Sequence, residues 1–581
     1  MSKSVKITIN GKKYKVQADT TVLKACRDNN IQVPSLCFMD MHRLEYANEV
    51  GTCRVCMVEI KGRRTLAPSC ITRVTEGMEV TTNSVRAVTS RRMAVELLLS
   101  DHPNECLSCA KNLNCELQKL AADLGVRQLK WNGKTSNYKL DTSSSSIIRD
   151  RNKCIMCRRC ETACNTIQTC GILSAVDRGF DAVVSTAFDL PLGDTSCTFC
   201  GQCVAVCPVG ALYEQNFTHR VWRRLNDPKK HVVVQVAPAV RVAIGEMFGM
   251  KPGTIMTGQL VSALKSLGFD GVFDTDFGAD LTIIEEATEF VGRLKSGKNL
   301  PMLTSCCPAW VKFIEHQFPD LLHIPSSCQS PQTMLGAISK SYYAQKMGLD
   351  PSSIVVVSVM PCVAKKAESS RVELTKDARN HVDFVLTTRE IGLMMKEAGV
   401  DLKTMKKSEF DNPLGQSTGA AVIFGTTGGV IEAAVRTAYE WVTGDNLEDV
   451  DFKALRGFDG VRSASLNIGG KDIRIGIAHG LGNARKLLTA IKNGEEQFEA
   501  IEIMACPGGC IGGGGQPYHH GDEWILEARR DGLYRADKEA TIRKSHENPS
   551  IKRLYKEFLG RPGGEKSHDL LHTHYEPKER I

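Results

Sequence analysis

The residues of this chain best able to do chemistry are its cysteines. There are 23, in tight groups at 37–70, 106–115, 154–170, 197–207, 306–328, 362 and 506–510, with long Cys-free stretches between. Thiolates two or three residues apart can converge on one metal centre. The start, Met-Ser-Lys-Ser-Val-Lys, runs straight into an alternating strand pattern and lacks the apolar core of a signal peptide. A reducing cytoplasm is therefore the expected compartment, where disulfides are a poor account of so many thiols.

Spacing sorts the groups. Cys37, Cys53, Cys56 and Cys70 lie in loops around a small sheet with one helix, which resembles a plant-type [2Fe–2S] ferredoxin in the variant spacing of redox-complex subunits. Structural zinc is the alternative, and the long gap from Cys37 to Cys53 fits a zinc ribbon poorly. Next come His102, Cys106, Cys109 and Cys115. Three thiolates and an imidazole suit either a [4Fe–4S] cluster or a Cys3His zinc site, and the neighbouring groups favour iron–sulfur. The strongest local signal occurs twice: Cys154-x2-Cys157-x2-Cys160-x3-Cys164 and Cys197-x2-Cys200-x2-Cys203-x3-Cys207-Pro208. This is the two-cluster ferredoxin run, in which the fourth Cys of each run ligates the other cluster. One cubane then takes Cys154, Cys157, Cys160 and Cys207, and the other Cys197, Cys200, Cys203 and Cys164.

The elements that must position these residues follow from periodicity. Residues 5–16 alternate as a hairpin, Asp19-Thr20-Thr21 offers helix caps, Met57–Ile60 is a strand, and 85–100 reads as a helix. Asp141–Ser146 is a polar connector. From about 218, apolar strand-like runs alternate with helical stretches: 231–237, 301–304, 354–360, 421–424, 473–478 and 501–504. That alternation predicts an α/β domain with mainly parallel sheets. Three of the runs lead directly into Cys306-Cys307, Cys362 and Cys506, and ligands of open α/β folds bind beyond the carboxyl ends of strands. Thiols from three strand ends, with Cys510 close behind, can meet in one buried place. Residues 521–581 are charged and His-bearing and read as a wrapping extension.

Three motifs then stand together: Thr304-Ser-Cys-Cys-Pro-Ala-Trp310, Met360-Pro-Cys-Val-Ala-Lys-Lys-Ala-Glu368 and Glu502-Ile-Met-Ala-Cys-Pro-Gly-Gly-Cys-Ile-Gly512. In order, they resemble the three signatures of the [FeFe]-hydrogenases, and the upstream cluster pattern is similar to that of the large clostridial-type members. Arg543–Tyr575 looks like the small-subunit segment of two-chain members. The resemblance implies a multidomain α+β and α/β architecture: an N-terminal β-grasp [2Fe–2S] domain (1–80), a His-ligated [4Fe–4S] domain (81–125), a two-cluster ferredoxin-like domain (140–217), a two-lobed α/β H-cluster domain (218–520) and a small-subunit-like extension (521–581). It implies one [2Fe–2S] cluster, three accessory [4Fe–4S] clusters and the H-cluster, a cubane joined to a diiron unit with CO, cyanide and azadithiolate.

By motif position Cys307, Cys362, Cys506 and Cys510 hold the H-cluster, with Cys510 bridging its two parts. Lys365 would serve one cyanide and the backbone at Pro238-Ala239 the other. Many relatives carry Ser where this chain has Ala239, which removes a side-chain hydrogen bond. Met360 and Met504 would line the diiron unit. Cys306, not itself a ligand, takes the family's proton-shuttle position, followed by water, Glu286, Ser326, Glu289 and Arg293. Each of these residues also has an ordinary reading: a buried inert thiol for Cys306, a solvated helix face for Glu286 and Glu289, a surface charge for Lys365. Cys26, Cys170 and Cys328 are left without a metal role.

Composition narrows the rest. The net charge is +8 over 581 residues with both signs interleaved, so nucleic acid is not an expected partner. No apolar stretch reaches the ~18 residues of a membrane helix. Gly425-Thr-Thr-Gly-Gly429 is too loose a dinucleotide fingerprint, so NAD(P) would bind a separate flavin subunit. Ala309 and the C-terminal extension look more like the hydrogenase subunit of NAD(P)-linked, electron-bifurcating complexes. H2, protons, ferredoxin and further Fe–S subunits are the implied partners. A ferredoxin-only enzyme, a non-turnover H2 sensor or assembly factor, and a respiratory-complex-like electron-transfer arm are the rivals. Cys307, Cys362, Cys506 and Cys510 argue against the last.

Overall fold

The computed structural model describes residues 4–580. The strands Ser4–Ile9 and Lys12–Gln17 pair antiparallel through a two-residue turn, Asn10-Gly11. Both turn residues take positive φ, 49° and 82°, as the right-handed twist of a tight hairpin demands. Ser4–Ile9 then pairs parallel with Glu79–Thr81, which pairs antiparallel with Met57–Ile60. The helix Val22–Asp28, capped by the Thr21 hydroxyl, packs Val22, Leu23 and Ala25 onto Val5, Ile7 and Ile9. Cys26 lies in this core, where burial pushes its thiol up to about 11.

The expected helix at 85–100 spans Val85–Asp101, with Ser84 as its cap. Its apolar side chains are not all inside: Val95 is buried but Met93 and Leu97 are about half exposed. Residues 127–140 carry no helix or strand.

Two short antiparallel pairs frame the doubled cysteine run. Ile147–Arg149 pairs with Leu212–Glu214, and Ser174–Val176 with Val183–Ser185. Each run turns at the same two places on left-handed residues, Met156 and Arg158 in the first and Phe199 and Gly201 in the second. The loop thus curls back so that its thiols face inward.

Beyond residue 230, besides the short antiparallel pair Thr375–Lys376 and Arg379–Asn380, two four-stranded sheets form the frame. In the first the order is Gly271–Asp274, His231–Val236, Ile354–Met360, Phe384–Thr387, all parallel. In the second it is Met302–Leu303, Ala500–Met504, Lys471–His479, Val461–Ile468, parallel except for the last hairpin. The long helix Thr275–Ser296 packs beside Pro331–Ile338 and Gly429–Thr443.

One expected strand is absent. Residues 421–424 are helical, in the segments Gly419–Val422 and Ile423–Gly425, and all four are buried. A short apolar run between glycines reads equally as a buried strand or a buried helical turn, and here the turn won. Gly271–Asp274, Phe384–Thr387 and Val461–Ile468 were not anticipated.

The C-terminal segment does wrap the second half of the chain. Its helix Glu523–Glu539 sends Asp537 to Arg436, with two hydrogen bonds of 3.0 Å in the interior. Among the described residues no helix is long and apolar enough to cross a membrane.

Candidate metal centres and catalytic cavity

The C-terminal ends of both sheets open onto one cavity. Cys307 follows Met302–Leu303, Cys362 follows Ile354–Met360, and Cys506 follows Ala500–Met504, with Cys510 one turn later. All four line one cavity, together with Cys306, Lys365, Pro238, Ala239, Met360 and Met504. Gly509, φ 97°, makes the turn from Cys506 to Cys510, and a Cβ there would lie 2.6 Å from the Thr427 nitrogen.

Burial raises all four thiols, most strongly Cys506, whose neighbours Cys362, Cys307 and Cys510 raise it further. Four mutually repelling sulfurs in an apolar cavity are an unfavourable place for thiolates unless a metal cation sits among them. The donor set therefore fits a thiolate-held iron–sulfur group.

Lys365 is held by two partners. Its Nζ donates to the Cys306 carbonyl at 3.0 Å and to both Glu368 oxygens at 3.1 and 2.9 Å. Burial works against its charge, but the Glu368 carboxylate outweighs burial and raises the lysine above its ordinary value. Glu368 is fixed in turn by Ser330 and Gln332, at 3.0 and 2.9 Å. The Gln332 Oε1 is buried without a partner in the cavity wall. Ala239 offers no side-chain donor; its carbonyl accepts from Gln516 at 3.0 Å.

A line of polar groups leads away from Cys306. Glu286 is 1 % exposed. Burial, then the charge of Glu289, push it up to about 8, while the Ser326 hydroxyl pulls the other way. Its Oε1 has no partner. Burial and the Glu286 charge also raise the Cys306 thiol. Ser326 donates to Glu289 at 3.2 Å, and Arg293 meets Glu289 at 2.5 Å near the surface.

The accessory sites assemble as the run spacing requires. Cys154, Cys157, Cys160 and Cys207 line one small cavity; Cys164, Cys197, Cys200 and Cys203 line another. Cys170 lines the second as well, its sulfur 3.7 Å from the Thr198 hydroxyl. Cys37, Cys53, Cys56 and Cys70 are all buried, with thiol–thiol contacts linking Cys70 to Cys37 and Cys56, and Cys37 to Cys53. His102 is held down to about 4, by burial and then by the Lys153 charge, and its Nδ1 is buried without a partner. A neutral imidazole with a free nitrogen is what a metal ligand needs. Cys106, Cys109 and Cys115 are half-buried.

These sites adjoin one another. Cys200 is near enough to Cys506 for its charge to raise that thiol, as Cys207 is to Cys203. Asn48 donates to the carbonyls of both Cys37 (2.7 Å) and Cys157 (3.1 Å). A Cβ on Gly210, three residues past Cys207, would lie 2.6 Å from the Cys109 sulfur. Both N-terminal sites therefore abut the cysteine set around Cys157 and Cys207. Glu368, Gln332, Thr275 and Phe424 were missed from sequence. Of these only Glu368 left a signal, three residues from Lys365 on one helical face.

Comparison with known proteins defines the class. The C-terminal domain of the iron only hydrogenase large subunit matches residues 230–514, and the iron hydrogenase small subunit matches 523–578. A 2Fe–2S binding domain matches 2–85, the iron–sulfur binding region of NADH-ubiquinone oxidoreductase G matches 91–130, and a 4Fe–4S dicluster domain matches 153–211. The chain belongs to the [FeFe]-hydrogenases, iron–sulfur enzymes that interconvert H2 with protons and electrons, and it carries an H-cluster domain with accessory Fe–S domains. Among its relatives, the NADP-reducing hydrogenase subunit HndD of Solidesulfovibrio fructosivorans is 55% identical over 99% of both chains. Iron hydrogenase 1 of Clostridium pasteurianum is 39% identical, covering 98% of this chain and 99% of that one. A solved variant of the [FeFe]-hydrogenase HydA1 of Chlamydomonas reinhardtii superposes with a TM-score of 0.57 at 44% identity, covering 63% of this chain and 100% of that one.

Proposed function

We propose that this chain is the H2-converting subunit of a cytoplasmic NADP-linked complex, with a flavin subunit and ferredoxin as electron partners. In this reading Cys307, Cys362, Cys506 and Cys510 hold the H-cluster, Cys306 moves its protons, and four accessory clusters carry its electrons. The convergence of those four thiols from the ends of two sheets carries the reading. When bound, the H-cluster supplies the iron chemistry that cleaves or forms H2. The protein's own work is to hold that group by one set of sulfurs, keep the cavity dry, and move protons.

Lys365, pinned by Glu368, presents a fixed positive charge and N–H donors to the anionic part of the group. Pro238, Ala239, Met360 and Met504 close the walls. Cys306 exchanges protons with the cavity and passes them through water to Glu286, then Ser326 and Glu289, which Arg293 orients. Glu286 at about 8 lies near working pH, so it gains and loses a proton at little cost. Cys154, Cys157, Cys160 and Cys207, and Cys164, Cys197, Cys200 and Cys203, would hold two cubanes between the catalytic cavity and the N-terminal sites, and those clusters would supply the electron relay. Of the five-part division at 80, 125, 140, 217 and 520, the boundaries at 125 and 140 are supported by the stretch 127–140, which carries no helix or strand.

The test is to load the purified chain and assay it alone and within its native complex. The chain alone should reduce a viologen dye with H2 but not NADP+, and the complex should reduce both. Reduction of NADP+ by the isolated chain would place a dinucleotide site on it and overturn the partner assignment.

A further inference from the structure

Arg293 ends the relay inferred above, and it cannot accept a proton. A guanidinium stays protonated throughout the working range of a protein. Its hydrogen bonds show a positioning role: besides Glu289, it donates to the carbonyls of Asn299, Ile324 and Pro325 at 2.9, 2.6 and 2.8 Å. A different base is wired to Glu289. The Ser327 hydroxyl lies 3.0 Å from Glu289 Oε2 and 2.8 Å from Nδ1 of His572.

His572 comes from the C-terminal segment, and backbone pairing sets its place. Cys328 and His572 form a β-bridge, the Gln329 N–H donates to the Leu571 carbonyl at 2.8 Å, and the Thr573 N–H to the Ser327 carbonyl at 2.7 Å. The other ring nitrogen, Nε2, lies 3.2 Å from Glu285 Oε2. Glu285 is fully buried and accepts from the Gly563 N–H at 2.8 Å and from the hydroxyls of Tyr555 and Ser567. Burial alone would raise this carboxyl, but the donors, His572 foremost, outweigh burial and hold it below its usual range. A carboxylate anchored against Nε2 keeps the proton there and leaves Nδ1 as the acceptor.

We propose that Glu289, Ser327 and His572 form a second proton exit, built onto the relay by the C-terminal segment, with His572 as the terminal base. The proposal rests on the relay reading above. In the H2-oxidising direction the O–H bond at Glu289 breaks and its proton passes to the Ser327 oxygen. The hydroxyl proton of Ser327 passes at the same time to Nδ1 of His572. Serine ends unchanged, imidazole becomes imidazolium, and no electron moves; H2 evolution runs the same transfers backwards. The exposed ring of His568 stacks on His572 at 4.7 Å, which places the release point at the surface edge of the segment. The remaining groups facing His572 are Glu285, Glu289 and the Cys328 thiol. Burial and the charges of Glu286 and Glu289 raise that thiol, so it does not compete for protons.

The test compares His572→Gln and Ser327→Ala in the loaded enzyme, with H2 oxidation followed by dye. Near pH 8 both variants should turn over about 3–10-fold more slowly, less than the loss of a sole proton carrier. Ser327→Thr, which keeps a hydroxyl between Glu289 and His572, should stay near wild-type turnover. The double variant should be no slower than the slower single one, because both cut one chain. Ser327→Ala leaves the Glu285 contacts intact, so it decides the matter if His572→Gln loosens the segment. Wild-type turnover in Ser327→Ala, an equal loss in Ser327→Thr, or additive losses would overturn the branch. Cys306→Ala run in parallel separates the two readings. If it is inactive while Ser327→Ala keeps wild-type turnover, only the branch fails; if it turns over normally, the relay itself fails.

Discussion

The ferredoxin-like region and the catalytic cavity each gather cysteines around a metal group, by opposite means. In the first, two short runs curl on left-handed residues at matching places, and each set of four thiols needs only one residue from the other run. In the second, the four thiols come from three distant motifs and meet because two parallel sheets point their ends at the same spot. The first arrangement is local and repeatable, which suits a relay whose job is to be near its neighbours. The second makes an apolar cavity in which Lys365 is raised above its ordinary value by Glu368, with the buried Glu286 beyond it pushed up to about 8. Catalysis at the cavity should then depend on individual side chains, whereas the relay should tolerate exchange of one ligand for another.

The largest expected effect is at Cys306. Cys306→Ala should keep the CO and cyanide infrared bands while turnover falls by about 10²–10⁴-fold. Substantial turnover in that variant would show that the cavity needs no side chain here to move protons.

Glu286→Gln should be nearly as damaging and should leave a second trace. Its carboxyl sits at about 8 in the fold, above its ordinary value, so the fold favours the neutral form. That contribution is present at low pH and is lost as pH climbs through about 8. An amide cannot ionise, so the apoprotein variant should lose less thermal stability between about pH 6 and about pH 9 than wild type, by on the order of a few kcal/mol. Parallel melting curves would mean that Glu286 is better solvated than its burial indicates.

The smallest effect is expected in the relay. His102→Cys replaces a neutral ligand by an anionic one, which makes the cluster more negative and lowers its reduction potential. A cubane should persist and H2 oxidation with a dye able to enter elsewhere should change by less than about 2-fold, while electron exchange through that branch slows. Redox-poised EPR is the measurement. An unchanged midpoint would defeat the charge argument, and zinc in place of iron would erase the contrast between relay and cavity.

Legibility in the sequence followed the same division. The crossing of Cys164 and Cys207 between the two ferredoxin cavities could be written down from spacing, because i, i+3, i+6 thiols on a tight loop have few other ways to meet a cubane. The strands before Cys307, Cys362 and Cys506 were legible as apolar runs, and their convergence followed from the rule that α/β sites lie beyond strand ends. Residues 421–424 were misread because a buried helical turn and a buried strand look alike over four apolar residues. Phe424 then reached the cavity wall from an element of the wrong type. Gln332 left no trace and Glu368 only its spacing from Lys365, since their value lies in partners that come from other elements.

By itself the sequence determined the ligand types, their grouping into separate sites and the order of those sites along the chain. These depend on spacing within a loop or on a single strand end, over which the backbone has little freedom. Only the tertiary structure decided which sites touch: that both N-terminal sites abut one cysteine set, that Cys200 is near enough to Cys506 to raise its thiol, and that the C-terminal segment lays His572 against Ser327. Contacts of that kind join residues tens to hundreds of positions apart. They are set by how whole domains and extensions pack, for which no local pattern of side chains carries a code.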